Sequence, residues 1–415
     1  MPTDPTEVIV GIHDLTFATT SLCLTHEELA RHTGAPVAKY HHGIGQTAMS
    51  IPAQDEDIVT MAADAAALLI ERHGSDRIRT ILFATETGID QSKAAGVYVH
   101  SLLGLPPHIR VVELKQACYG ATAALQLACA LVRSDPTQQV LVLASDIARY
   151  DLDSPGEATQ GAAAAAMLIT AAPELVELHA PSGLFTRDVM DFWRPNYRAT
   201  ALVDAKLSLD TYLDAVDGAW HDYQAHGGLP FEKLRTVCYH QPFTRMAHKA
   251  HRRLERTAGI VAPLHTTDEA VAPTTTYNQV IGNSYTASMY LALLALLDSD
   301  TELGGDAIGF FSYGSGSVAE FFTGTVSPNY RTHLRTDSHR TRIARREPIS
   351  YDTYRNLRAR ALPTDGTPHE VIRQTLGRYR LAGIRHHQRQ YQRAPRIPAV
   401  VPALQALRPT EDPPS

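Results

Sequence analysis

The chain reads as an α/β protein made of two similar halves, and three observations predict this. Apolar strands alternate with Ala- and Leu-rich helical stretches through most of its length. One strand–elbow–helix–strand unit occurs twice. A length of 415 residues also exceeds what one simple core accommodates and suits two fused subdomains.

The elements follow in chain order. Residues 8–12 open as a strand, and the run from Asp57 to about Glu71 is rich in Ala and Leu, as a buried helix would be. Residues 80–84 form the next strand. Residues 111–114 read as a short buried strand running into an elbow at Cys118, and an apolar helix follows to about Val132. Residues 140–144 close the unit as another strand. The second copy is fainter. With Cys118 set over Asn283, Ala117 falls over Gly282 and Ser134-Asp135 over Ser299-Asp300. Its strands are residues 236–240 and 307–311. Two such units packed face to face would bring Cys118 and Asn283 together. The expected boundaries are a first half at 1–173, an aromatic-rich insertion lining the site at 174–230, a second half at 231–393, and a Pro-rich, loosely ordered tail at 394–415.

Composition narrows the functional class. Hydrophobic residues make up 44%, enough for a large core, and the net charge of -6 points to neither nucleic acid nor membrane. No apolar run reaches the roughly 18 residues of a membrane span. Met1 to Pro5 has neither the basic nor the apolar region of a signal peptide. Cys23, Cys118, Cys129 and Cys238 have neither metal-ligand nor disulfide spacing, which fits a reducing, cytoplasmic compartment. Residues 330–346, dense in Arg and His, read as a solvated surface segment.

The chemical candidates sit at the ends of these elements. Cys118 at a helix N-terminus would feel partial positive charge, which favours the nucleophilic thiolate; the alternative is a small buried hydrophobe. Glu86 follows a buried strand, where a carboxylate needs a partner or serves as a proton shuttle, unless it is an ordinary loop residue. His240 ends its strand, where α/β proteins hold ligands, although His is often simply buried and the chain has 20 of them. Ser312 to Ser317 is a Gly/Ser turn whose backbone can approach a ligand, and it is not a dinucleotide or phosphate-loop fingerprint. Arg245 and Lys249 lie four apart, so on a helix they would share one face.

Five motifs together resemble the 3-hydroxy-3-methylglutaryl-CoA synthase family. They are Thr85-Glu86, Gln116-Ala117-Cys118-Tyr119, Tyr239-His240-Gln241-Pro242-Phe243, Gly282-Asn283-Ser284-Tyr285-Thr286, and Phe311 through Ser317. The resemblance spans Gly43 to about Tyr391 and includes Ala144 to Tyr150, Gly156 to Gly161 and Asp191 to Pro195. It implies the duplicated thiolase-like fold in five αβαβα layers, and a homodimer. It implies condensation of acetyl-CoA with acetoacetyl-CoA and water, with Cys118 acetylated, Glu86 as base, and His240 positioning the acceptor and helping to protonate the new alkoxide. It implies substrate-binding positions at Tyr150, Thr159, Arg194, Asn283 and Ser315. Arg245 and Lys249, from their spacing, read either as contacts to CoA phosphates or as a solvated cationic face. No metal and no cofactor beyond the CoA substrates are expected. Two family branches differ in acceptor: free CoA thioesters of the mevalonate pathway, or β-ketoacyl groups on an acyl carrier protein. The Asp191 to Pro195 stretch resembles the first branch, and Met246 to Arg252 has some character of the second. A ketoacyl synthase III-like enzyme would use Cys118, His240 and Asn283 without needing Glu86. A non-catalytic carrier- or CoA-binding member would be expected to lack Cys118 or Glu86.

Overall fold

The computed structural model describes residues 8–394, so the tail expected over 394–415 lies outside it from residue 395 on. Nine strands form the main sheet: β1 (Val10–Thr19), β2 (Ile78–Ala84), β3 (Arg110–Leu114), β4 (Gln139–Ile147), β5 (Ala162–Ala171), β6 (Val176–Thr186), β7 (Leu234–Tyr239), β8 (Ala307–Gly314) and β9 (Val318–Val326). Their spatial order is β7-β8-β9-β6-β1-β5-β4-β2-β3. This order contains the duplication. From β1 outward run β5, β4, β2 and β3; from β6 outward run β9, β8 and β7. In each half the first strand pairs antiparallel with the last, and strands further out run parallel. The halves join at one short seam, Gly11 and Ile12 of β1 against Glu177 and Val176 of β6. A Cβ at Gly11 would lie 2.0 Å from the Val176 carbonyl oxygen, so only glycine allows the seam to close.

Strand alternation builds the layers. On β2 and β4, Ile81, Phe83, Leu141 and Leu143 face outward against helix α1 (Ile58–His73). Leu82, Ala84, Val140, Val142 and Ala144 face inward, onto α2 (Gly120–Ser134). In the second half Val237, Tyr239, Phe311 and Phe321 pack outward on α3 (Ala205–Ala225) and α4 (Arg245–Thr257). Cys238, Phe310 and Phe322 point inward, into the core cluster that also holds α5 (Ser288–Leu297). The result is αβαβα, with α2 and α5 in the central layer. The α5 helix is buried along its whole length, so its near-continuous apolar sequence is that of a core helix. Asp57 caps α1 in a capping box with Thr60.

Four expectations change. The strand before Cys118 is not buried: β3 is the outer edge of the sheet, and Val112 is 42% exposed. The insertion expected over 174–230 is smaller. Val176–Thr186 is a sheet strand and Ala205–Ala225 an outer-layer helix, leaving residues 187–204, with the ribbon Phe192–Trp193/Leu202–Val203, as the departure from the repeat. The strand was obscured because it alternates buried with partly exposed residues and includes Pro181 and Gly183. The end of the expected second half serves the first: Tyr379 joins the cluster under α1, and the Tyr391 hydroxyl donates to Asp57.

The fourth change concerns residues 330–346, which are only in part a solvated face: Arg331, Arg340 and Arg345 are exposed, while Arg335, His339 and Arg346 turn inward as clamps. Arg335 pairs through both terminal nitrogens with buried Asp14 on β1, at 2.5 and 2.7 Å. His339 meets Asp298, just past α5, at 2.7 Å, and Arg346 donates to Ser50 and to the Val280 carbonyl. Burial pushes the Asp14 carboxyl upward, but Arg335 and His73 outweigh it and hold the group below the ordinary carboxylate range. Breaking a buried pair leaves an uncompensated charge. Arg335→Ala is therefore expected to cost about 3 kcal/mol in urea unfolding at neutral pH. Because the folded-state value is lowered, the Asp14 contribution is complete above the unfolded carboxylate range and is lost as pH falls through the folded value. The variant's deficit should shrink accordingly in acid; a pH-independent deficit would contradict the pairing.

Candidate active site

Two elbows meet between the halves. At the first, Ala117 adopts φ 42, a left-handed conformation that non-glycine residues adopt only under strain, and Cys118 follows it. At the second, Gly282 has φ 87 and Asn283 follows it. The alignment of Ala117 with Gly282 does not mark a shared turn: Gly282 has ψ -169, and the backbone counterpart of Ala117, at the same distance ahead of its central helix, is Tyr285 with φ 46. A Cβ at Gly282 would lie 1.9 Å from the Gln160 carbonyl oxygen. Asn283 is buried: its N–H donates to the Thr159 carbonyl, and its side-chain oxygen accepts from the Tyr285 N–H.

Glu86 lies beside Cys118. It is 8% exposed, and the Cys118 thiol donates to its Oε1 at 3.0 Å. The loop around Glu86 is shaped by Asp146 at the end of β4. One oxygen of Asp146 accepts from the Thr85 hydroxyl, the Glu86 N–H, and the Thr87 N–H and hydroxyl. The other accepts from the N–H and hydroxyl of Thr286, on the second elbow. One buried carboxylate therefore joins both elbows. A guanidinium nitrogen of Arg194 donates to the Glu86 carbonyl, bringing residues 187–204 onto the same loop.

Electrostatics sets the proton positions. Burial, and then the nearby Asp146, push the Glu86 carboxyl up to about 8. Burial, and then Glu86, push the Cys118 thiol well above its ordinary value. The expected thiolate-favouring helix terminus is not realised, because Cys118 stands two residues ahead of α2 and faces a carboxylate. Cys118 rests as a thiol hydrogen-bonded to Glu86, and the ionised form of Glu86 is the local proton acceptor. His240 follows β7, and burial pushes its imidazole down to about 3, so it is neutral. The His240 carbonyl accepts from the Tyr212 hydroxyl at 2.7 Å.

The remaining sequence candidates divide. Tyr150, buried, lies within electrostatic reach of Cys118 and Glu86, and its phenol bonds Tyr285 and Thr159. The Phe192 ring meets Tyr150 and Tyr285 edge-on, at 6.1 and 5.8 Å. The Ser315 carbonyl accepts from Gln116 Nε2, placing the Gly/Ser turn against the Cys118 elbow. Glu86, Gln116, Ala117, Phe192, Arg194 and Ser315 line one open cleft. Arg245 and Lys249 are not among the residues lining it. They share a face of α4; Arg245 lines a separate hollow with His41, His42 and His248, and Lys249 lies over the Phe243 ring. Arg245, His248 and Arg252 converge on Asp268, at 3.6, 2.8 and 3.8 Å. Asp146 and Tyr285 were not singled out as site residues from the sequence. A carboxylate at the end of the apolar run 140–147 was the available signal for the first; nothing local marked the second. Among the described residues no group of His, Cys, Asp and Glu is arranged to hold a metal ion.

The Cys118–Glu86 coupling has a measurable consequence. Glu86→Gln removes the nearest anion, so the Cys118 thiol should titrate at lower pH. The pH profile of Cys118 alkylation by iodoacetamide is expected to move down by at least one pH unit, about 1.4 kcal/mol of differential interaction. An unmoved profile would show that Glu86 does not set the thiol.

Comparison with known proteins gives a consistent picture. The family described as hydroxymethylglutaryl-coenzyme A synthase N terminal matches residues 5–174, and the corresponding C-terminal family matches 179–263 and 255–364. A hydroxymethylglutaryl-CoA synthase from Enterococcus faecalis is 37% identical over 394 residues, covering 92% of this chain and 99% of that protein. A polyketide-biosynthesis 3-hydroxy-3-methylglutaryl-ACP synthase from Bacillus subtilis is 32% identical, over 80% of this chain and 83% of its own. Among solved structures, a synthase of this kind complexed with CoA superposes with a TM-score of 0.88 at 37% identity, covering 93% of this chain and all of that one. A curacin-pathway synthase bound to holo donor-ACP also gives a TM-score of 0.88, at 30% identity and with the same coverage.

Proposed function

The chain belongs to the hydroxymethylglutaryl-CoA synthase family and is an acyltransferase of the condensing type, and from that premise we propose how its residues divide the reaction. The observation that carries the reading is the 3.0 Å contact between the Cys118 thiol and the Glu86 carboxyl. In its ionised form Glu86 takes the thiol proton as sulfur attacks the thioester carbon of acetyl-CoA. The carbon–sulfur bond to CoA breaks, and the proton passes to the departing CoA sulfur. The backbone N–H of Cys118 and the Gly314–Gly316 turn stabilise the oxyanion. Glu86, again a carboxylate, removes a proton from the acetyl methyl, and the enolate carbon bonds to the ketone carbon of acetoacetyl-CoA.

His240 serves here as a neutral hydrogen-bond donor to the acceptor's oxygens. Its depressed proton affinity makes it a poor source of a full proton, so Glu86 returns the proton to the new alkoxide. Water then cleaves the Cys118 thioester and releases 3-hydroxy-3-methylglutaryl-CoA. Tyr150, Thr159, Arg194, Asn283 and Ser315 shape the acyl pocket. A carboxyl group poised near 8 in direct contact with the thiol distinguishes this site from a triad of Cys118, His240 and Asn283 alone.

Free acetoacetyl-CoA is the proposed acceptor, in a mevalonate pathway. Two cations, Arg245 and Arg252, share the single Asp268 with His248, which leaves positive charge beside Lys249 for CoA phosphates. A cytoplasmic homodimer is the proposed form. The unpaired β3 edge, with Val112 exposed, suits a second copy, and all four cysteines are free. Among the described residues no helix is long and apolar enough to cross a membrane.

The steps are separable. Acetyl-CoA alone should add one acetyl group at Cys118 by intact mass; Cys118→Ala should show none, and normal acetylation of that variant would sink the assignment. Glu86→Gln should lose carbon–carbon bond formation by at least a hundred-fold even after the acetyl-enzyme has formed, and near-normal condensation would make Glu86 a bystander. His240→Ala should raise the apparent KM for acetoacetyl-CoA.

Branch choice rests on the acceptor. The wild type should turn over free acetoacetyl-CoA, and Arg245→Ala/Lys249→Ala should raise its KM, each well-formed contact contributing about 1.5–3 kcal/mol. Turnover only with carrier-bound acceptor would move the chain to the carrier-protein branch. Unchanged KM in the double variant would remove only the phosphate-site role.

A further inference from the structure

A second carboxylate is buried between the halves and has no part in the chemistry above. Glu320 on β9 is 2% exposed, flanked by Ala319 and Phe321, which face the opposite, outer layer. It therefore points inward, at α2. Burying a carboxylate in this layer costs several kcal/mol unless its oxygens are satisfied. They are: Oε2 accepts from the Tyr119 hydroxyl at 2.8 Å and Oε1 from Gln126 Nε2 at 2.7 Å, with Ser182 adding a third bond. Tyr119 and Gln126 are seven residues apart, two turns along one helix face. Tyr119 is also the residue that follows the nucleophile.

The same elbow is touched from the second half at another point. A Cβ on Gly314 would lie 2.5 Å from the Gln116 carbonyl oxygen and 2.8 Å from the Tyr119 nitrogen, and the Ser315 carbonyl accepts from Gln116. Gly314 and Glu320 belong to one hairpin, β8–β9, with Gly314 paired to Val318. The hairpin thus presses its turn against the Cys118 elbow and holds the adjoining side chain through Glu320. We propose that Glu320 is a positioning residue which, through the Tyr119 hydroxyl, fixes the Cys118 elbow against the Gly314–Gly316 turn, so that sulfur and oxyanion donors meet the same thioester carbonyl. It acts on the acylation step and makes no contact with substrate.

This rests on Cys118 as the nucleophile, and the experiment separates the two. The readout is single-turnover acetylation by acetyl-CoA, quenched and followed by intact mass, beside KM for acetyl-CoA and the thermal midpoint. Tyr119→Phe removes one hydroxyl and no packing volume. It should slow acetylation at least ten-fold with KM within three-fold of wild type. Glu320→Ala should do the same, and Glu320→Gln, which still accepts from Tyr119, should recover most of the rate. The double variant Tyr119→Phe/Glu320→Ala should be no slower than the slower single, because both remove one interaction. Gln126→Ala is the control for a purely structural role: it strips the other Glu320 oxygen, so it should lower the thermal midpoint but leave acetylation within two-fold. Wild-type acetylation in Tyr119→Phe overturns the proposal, as does equal slowing in Gln126→Ala. If Cys118→Ala is itself acetylated normally, the nucleophile reading fails instead. Glu320→Ala is not indispensable, since Tyr119→Phe decides the question if that variant does not fold.

Discussion

Everything at this site depends on one buried carboxylate. Asp146 ends a central strand where no water reaches, so both of its oxygens must be satisfied by protein donors. It recruits them from opposite halves: the Thr85–Thr87 turn on one side and Thr286 on the other. Three of the donors are backbone N–H groups, which can only donate, so the two turns are locked to the acceptor and to each other. The Glu86 side chain leaves the first turn with its direction already set. The cost of burying Asp146 thus becomes precision in the groups that flank it.

The same carboxylate tunes its neighbour. Burial first, and then the nearby Asp146, disfavour the charged form, so Glu86 holds its proton to about pH 8. That places it near the range where one group can both accept and return a proton, which the condensing chemistry asks of it repeatedly. The thiol is correspondingly quiescent until substrate arrives. A Cys118 thiol raised by burial and by Glu86 resists stray oxidation and alkylation better than a free thiolate would. Reactivity comes from having the acceptor of its proton already in contact.

The halves that carry these groups share one apolar core around α2 and α5 and a short strand seam, and polar cross-braces add to it. Arg335 reaches Asp14, Arg346 reaches Ser50, and Glu320 reaches Tyr119. Each brace is a polar group sealed in an apolar setting, where a lost partner is expensive. Such contacts contribute less to net stability than hydrophobic packing of equal volume would, but they admit one geometry. A site divided between two elbows requires that.

The primary structure by itself carried the two-half α/β plan, because periodicity is a local property of the chain; Cys118, Glu86, His240 and Asn283 stood out only through the family resemblance of the motifs that hold them. The matched positive φ at Ala117 and Tyr285, each just ahead of a central helix, is the backbone counterpart of that repeat, and it puts Thr286 rather than Asn283 at the place of Cys118. Tertiary structure alone decided which charges are paired. Residues 330–346 look solvated in one dimension, and Arg335 and His339 become clamps because Asp14 and Asp298, hundreds or tens of positions away, fold onto them. It also decided that β3 is an edge and that Val176–Thr186 is a sheet strand, since exposure depends on neighbours rather than on a strand's own residues. Proton positions belong to the same class. The sequence places Cys118 near a helix start, which argues for a thiolate. Only the fold sets it ahead of that helix and against a buried carboxyl, and burial with a facing carboxylate outweighs the helix terminus.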